Sequence, residues 1–214
     1  GSQSVMHQPT RMHDGVDFLV FSGHKLYAPG SPGVIVGRRD LLSAVSPDEV
    51  GGGMVDDVSI EDFKVSAGFP DREEAGTPNI VGAVLLGAAL DTLMQVGMPV
   101  IHEREQALLR PFLAALAARP GVRVYGDTNP ERAPRTATVA FNVEGFDHAL
   151  VAAILNDDFC VAVRNACFCA HPYVRDMLKP ELWAMEIDPE DAGALAEVEA
   201  RKGMVRASFG LYTV

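Results

Sequence analysis

Short apolar runs alternate along this chain with longer stretches of helical periodicity. Residues 16–21 include Asp17-Phe18-Leu19-Val20-Phe21, bounded by Gly15 and Gly23. Its length, apolarity and glycine boundaries are those of a strand buried in an α/β sheet. A second strand is predicted over residues 33–37, so the two flank the intervening turn as a hairpin-like pair. From residue 46 to residue 76 the pattern turns irregular, with Gly51-Gly52-Gly53 and the acidic pair Asp56-Asp57. A long loop region is expected there, and loops of that length are commonly functional.

Helical signals follow. Thr77 can cap, and Pro78 can occupy the first turn of, a helix running to about residue 96. Residues 80–90 are apolar all round, which predicts burial on every side. Pro99 opens a second helix in which Ile101, Leu108, Leu109, Phe112, Leu113 and Leu116 fall at helical spacing, with Glu103, Arg104 and Arg110 left for an outer face. It ends at Arg119-Pro120-Gly121. Beyond it the order reads strand (122–125), strand (136–143), helix (146–157), strand (160–164), a small α/β unit. Residues 173–203 read as helical in parts, chiefly 189–201. A change of domain is expected near residues 96–99.

Composition narrows the function classes. The chain has 214 residues, 48% of them hydrophobic and 22% charged, enough for one large or two small globular cores. A formal net charge of −11 leaves no basic patch for a phosphate backbone, which argues against a nucleic-acid partner. No apolar run reaches membrane-spanning length, and Gly1-Ser2-Gln3 has neither the basic end nor the apolar core of a signal peptide. Cys160, Cys167 and Cys169 are an odd and sparse set, unlike a secreted disulfide framework. The expected compartment is the cytoplasm.

Three groups of residues carry candidate chemistry. Ligands bind α/β sheets just beyond the carboxyl ends of strands. At that point Ser22 and His24 can hydrogen-bond an anion, and Lys25 offers a primary amine, the group that condenses with carbonyl compounds to form Schiff bases. Together they describe a pyridoxal 5'-phosphate (PLP) site, although from the tetrapeptide alone an ordinary surface lysine is an equal reading. Arg206 stands in the apolar, strand-like setting Met204-Val205-Arg206-Ala207-Ser208-Phe209, where an unpaired guanidinium is costly and an anion is required. A substrate carboxylate suits it, with a structural salt bridge as the alternative. The spacing Cys167, Cys169, His171 lacks the separated ligand pairs of structural zinc sites, so no metal is expected. Cys160, between Phe159 and Val161, reads as a buried core residue.

Ser22-Gly23-His24-Lys25-Leu26-Tyr27-Ala28-Pro29, followed by Gly30 and Pro32-Gly33-Val34, resembles the cofactor-lysine segment of the class V aminotransferase family, and within it the cysteine desulfurase and selenocysteine lyase branch. The resemblance continues in order along nearly the whole chain. Gly1-Ser2-Gln3-Ser4-Val5-Met6-His7 is similar to the stretch after the family's pyridine-binding Asp. Gly51-Gly52-Gly53-Met54 is similar to its glycine-rich loop, and Glu74-Ala75-Gly76-Thr77-Pro78-Asn79 is a third match. Val163-Arg164 through Cys169-Ala170-His171-Pro172 and Val205-Arg206-Ala207-Ser208 complete the series.

This resemblance implies a fold type I PLP-dependent transferase. Residues 1–97 would be the C-terminal part of the PLP-binding large domain and residues 98–214 a small C-terminal α/β domain, without a preceding half or a final helix. It implies that Lys25 is the attachment point of PLP, that Ser22 and His24 hold its phosphate, and that Gln3 meets its phenolic oxygen. Thr77 would reach the phosphate across a homodimer, and Arg206 would bind the substrate carboxylate. Counting from Arg164 to Pro172 places Cys169 on the sulfur-accepting cysteine, so the implied reaction removes sulfur from L-cysteine through a cysteine persulfide, releases alanine, and hands the sulfur to an acceptor protein. Ala166, Cys167 and Phe168 depart from the Gly-His-His that usually precedes that cysteine, and the Cys-Phe-Cys pair resembles the related molybdenum cofactor sulfurases. The alternatives are a class V aminotransferase or epimerase-like enzyme without sulfur transfer, and an inactive half-enzyme acting only in dimerisation or partner binding.

Overall fold

The computed structural model of the protein describes residues 4–7, 10–12, 15–133, 135–179, 182, 188 and 190–213. The chain divides into two compact units, Gly1–Val100 and Ile101–Val214.

In the first unit, β1 (Phe18–Ser22) and β2 (Gly33–Gly37) pair antiparallel, with Phe18 opposite Gly37 and Ser22 opposite Gly33. The predicted hairpin is present. Its predicted burial is not: Val20 is 57% and Ile35 65% exposed, because the described residues form only a two-stranded sheet here. A short helix α1 (Arg39–Ser43) follows. The region read as loop instead contains a second antiparallel hairpin, β3 (Val55–Val58) and β4 (Phe63–Val65), with an irregular register between Val55 and Asp57. Charged residues line these strands, so no apolar alternation announced them.

Helix α2 (Ile80–Val96) starts three residues after Thr77. Its cap is Asn79, whose side-chain Oδ1 accepts the Gly82 N–H at 3.0 Å, so the sequence assignment of the cap to Thr77 is corrected. Asn at an N-cap satisfies one of the orphan donors of the first turn. Burial on every side is corrected as well. Gly82, Leu86 and Leu93 are buried, whereas Ile80, Val81, Val84 and Leu85 are exposed. Among the described residues no single helix is long and apolar enough to cross a membrane.

α3 (Met98–Ala117) leads into the second unit, burying Ile101, Leu109 and Leu113 at the predicted helical spacing. The second unit is built on a three-stranded antiparallel sheet in the order β5 (Val122–Tyr125), β6 (Thr138–Val143), β7 (Val205–Ser208). Leu109, Leu113 and Val139 form one core cluster, edged by Phe112 and Phe209, whose rings meet edge-on at 5.4 Å. A second cluster joins Tyr125, Val174, Leu178, Leu182 and Met204. Around the sheet lie α4 (His148–Phe159), α5 (His171–Leu178) and α6 (Ala192–Arg201).

The strand expected over residues 160–164 is absent. Cys160 is the left-handed C-cap of α4, with φ 54°, and its N–H bonds back to the helix; only Arg164 forms an isolated bridge, to Arg206. Cys160 is exposed, not a core residue. A left-handed residue after a helix turns the chain out of the helix axis, a place glycine usually takes.

Candidate active site

The lysine turn is held by its backbone. β1 ends at Ser22, and a single 3₁₀ turn, Gly23–Lys25, follows. The Gly23 N–H donates to the Pro32 carbonyl at 3.2 Å, and the Leu26 N–H donates to the Gly23 carbonyl at 2.8 Å. Gly23 is buried where a Cβ would run into Ser31 Oγ and sit 3.0 Å from the Leu86 methyl groups, so a larger residue would have to displace Ser31. Leu26 and Ala28, 3% and 2% exposed, anchor the far side. The structure therefore gathers Ser22, His24 and Lys25 at one strand end, with Ser22 and Lys25 half-buried and His24 exposed.

Asn79 supports this turn from α2. While its Oδ1 caps the helix, its Nδ2 donates to the Gly30 carbonyl at 2.8 Å. Gly82 permits the approach, since a Cβ there would lie 2.7 Å from the Gly30 oxygen. One amide thus fixes both the helix start and the loop beyond Lys25. The sequence reading missed it, although an Asn immediately before an apolar helical run is itself a cap signal. Asn79→Ala should lower stability by about 1–2 kcal/mol, the upper range for a cap loss, since it also leaves Gly30 without its donor. Urea unfolding monitored by circular dichroism measures this; an unchanged midpoint would show that the amide holds nothing.

Thr77 lies outside that turn and is exposed. The segment leading to it is tied to the glycine loop by Gly76 N–H donating to the Gly52 carbonyl at 2.7 Å, beside Met54, which is 1% exposed. Gln3 lies outside the described residues.

The cysteine loop belongs to the second unit and is zipped to residues 202–206. Arg164 and Arg206 exchange backbone bonds of 3.0 and 2.6 Å, the Met204 N–H donates to the Ala166 carbonyl at 3.1 Å, and Cys167 Sγ lies 3.8 Å from the Lys202 carbonyl. Gly203 closes the zipper, because a Cβ there would collide with the His148 ring and lie 2.8 Å from Ala166 Cα. The chain then turns sharply. Ala170 N–H donates to the Cys167 carbonyl at 2.7 Å, and Phe168 and Cys169 take φ values of 33° and 63°, following Ala166 at 67°. Left-handed conformations cost non-glycine residues about 1–3 kcal/mol each and gather at functional sites.

That turn sends the two thiols different ways. Cys167 is half-buried and packs with Phe168 against the Tyr125–Met204 cluster, whereas Cys169 is exposed. Beside them the half-buried Arg206 lays its guanidinium over the Phe168 ring, 5.3 Å from the centroid. Its Nε is buried and has no hydrogen-bond partner among the described residues. Burial pushes its pKa down, the charge of Arg164 adds to that, and Cys169 opposes both. The salt bridge offered as an alternative for Arg206 is absent among the described ion pairs; the open need is for an acceptor. Among the described residues no group of three or more His, Cys, Asp or Glu could hold a metal ion.

Known proteins share this arrangement of sequence and fold. The family model for aminotransferase class-V matches residues 1–214. A cysteine desulfurase of Klebsiella pneumoniae (strain 342) is 44% identical over 173 residues, which are 80% of this chain and 41% of that protein. The apo cysteine desulfurase of Thermococcus onnurineus NA1 superposes with a TM-score of 0.78 at 31% identity, covering 100% of this chain and 47% of that one. The cysteine desulfurase CsdA of Escherichia coli, in its S-sulfonic acid form, superposes with a TM-score of 0.76 at 30% identity, covering 100% of this chain and 46% of that one. The chain spans less than half the length of these relatives. Its α/β fold is the corresponding part of the fold type I architecture of PLP-dependent cysteine desulfurases. The chain belongs to the class V aminotransferase family.

Proposed function

We propose that the protein of which this chain forms part is a PLP-dependent cysteine desulfurase, taking sulfur from L-cysteine onto Cys169 and releasing alanine. The observation that carries this reading is the pairing, on one zipped loop, of an exposed thiol at Cys169 with a half-buried guanidinium at Arg206 whose buried Nε has no acceptor among the described residues. A thiol alone would not select an amino acid. A carboxylate receptor next to it does.

The residues at the lysine turn fit the cofactor. Ser22 and His24 offer hydrogen bonds to its phosphate, Lys25 offers the amine for its attachment, and buried Gly23 lets the backbone close around that end of the strand. Thr77 of a second subunit would help hold the phosphate, and Gln3 would meet the phenolic oxygen, as the resemblance implies. When bound, PLP supplies the electron sink that weakens bonds at the amino acid's α and β carbons. Lys25 Nζ carries the α-proton. Arg206 fixes the carboxylate through charge-assisted hydrogen bonds. Cys169 Sγ, as thiolate, attacks the substrate sulfur: a sulfur–sulfur bond forms as the carbon–sulfur bond breaks, the electron pair of that bond passes to the β carbon, and the carbon takes a proton so that the amino acid leaves as alanine. The exposed Ile80, Val81, Val84 and Leu85 on α2 suit a partner surface in a homodimer, and exposure of Cys169 suits delivery of its sulfur to an acceptor protein.

The test is the product balance of the full-length enzyme with L-cysteine and a thiol reductant. Alanine and sulfide should appear in equal amounts. A 2-oxo acid without sulfide would point instead to a class V aminotransferase in which the cysteines are incidental.

A further inference from the structure

Phe168 stands out for having two constraints imposed on it at once. It is a bulky aromatic residue held at φ 33°, a backbone conformation that glycine adopts far more readily. Its ring nevertheless lies 5.3 Å from the Arg206 guanidinium, at one edge of the Tyr125–Met204 core cluster. That guanidinium is in an unfavourable setting. It is half-buried, and its buried Nε has no hydrogen-bond partner among the described residues. An aromatic face attracts a cation without consuming its N–H donors, which a carboxylate neighbour would do.

We propose that Phe168 is a positioning residue for the substrate carboxylate, its ring carrying the Arg206 guanidinium in place while leaving the donors of that cation for the incoming anion. This rests on the reading of Arg206 as the carboxylate receptor. The backbone zipper from Arg164 to Met204 and the left-handed turn are what deliver the ring to this place. The Phe168 side chain thus links the two functions of the loop. The turn that exposes Cys169 also orders the group that binds the amino acid.

Phe168→Leu keeps an apolar side chain at the core edge but removes the aromatic face; Phe168→Tyr keeps both. In the full-length holoenzyme, dissociation constants for labelled L-alanine are measured by equilibrium dialysis, alongside KM and kcat for L-cysteine. Phe168→Leu should weaken alanine binding about three- to tenfold and raise KM to match, with kcat within about twofold, the range for a partly desolvated cation–π contact. Phe168→Tyr should stay within about twofold of wild type throughout. Leu binding like wild type, or Tyr failing as badly as Leu, would overturn the proposal. Arg206→Ala separates the two levels: if it also binds alanine like wild type, the carboxylate assignment itself is wrong. If it alone weakens binding, only the role of Phe168 is lost.

Discussion

Replacing Lys25 with alanine in the full-length enzyme should abolish covalent retention of the cofactor and reduce sulfide release by at least about a thousandfold, since general base catalysis alone contributes about 10²–10⁴. The fold should survive, because the turn is held by backbone bonds of Gly23 and Leu26 and by buried Leu26 and Ala28, none of which uses the lysine amine. Borohydride reduction followed by peptide mapping should place the pyridoxyl group on Lys25. Lys64 and Lys202 are poorly situated for the role. Lys64 lies within an exposed hairpin strand, and Lys202 pairs with Glu199 at the end of α6. A pyridoxyl group recovered on either of them, or an alanine variant that retains the cofactor through dialysis, would remove the assignment.

The lysine turn was legible because its determinants are local. A short apolar run, a glycine that must be small and a second run of the same length specify a hairpin whatever surrounds it. Burial was not legible for the same reason. The apolar positions of β1 and α2 announce faces to be covered, but which described residues cover them is a question of tertiary contacts, and Val20, Ile35, Ile80 and Val84 remain exposed. Hairpin β3–β4 escaped because Asp56, Asp57 and Lys64 break the alternation that marks a half-buried strand. Sequence spacing also put the cap of α2 at Thr77, where the structure uses Asn79.

The cysteine loop shows the same limit more sharply. That Arg206 sits in a strand could be read from the sequence, whereas the chain direction through the loop could not. Left-handed turns are ordinarily announced by Gly or Asn. Here Cys160, Ala166, Phe168 and Cys169 adopt them instead. A strand over residues 160–164 was therefore expected, and in an extended chain Cys167 and Cys169 would share one face. The turn separates them.

That separation supports the remaining prediction, that Cys169 and not Cys167 takes the sulfur. An attacking thiolate must reach the substrate carbon–sulfur bond, so it needs access and freedom from packing. Cys169 is exposed at the turn and follows Phe168, whose ring lies against the Arg206 guanidinium, so a bound carboxylate would bring the amino acid to the same side. Cys167 points its sulfur towards the Lys202 carbonyl and packs on a core that includes Met204 and Val174. Cys169→Ser should therefore cut sulfide release from L-cysteine by at least about a thousandfold, the scale of removing an essential nucleophile. Its dissociation constant for L-alanine should not change, because Arg206 is untouched. Cys167→Ser should retain activity within about threefold and lose about 1 kcal/mol of stability, from placing a hydroxyl where a weakly polar thiol packed. Mass spectrometry after a single turnover without reductant should find the added sulfur, about 32 Da, on the peptide carrying Cys169 in the Cys167→Ser protein and nowhere in the Cys169→Ser protein. Were the added mass to follow Cys167 instead, the inward thiol would have to leave its packing to react, and the turn seen here would not be the reactive one.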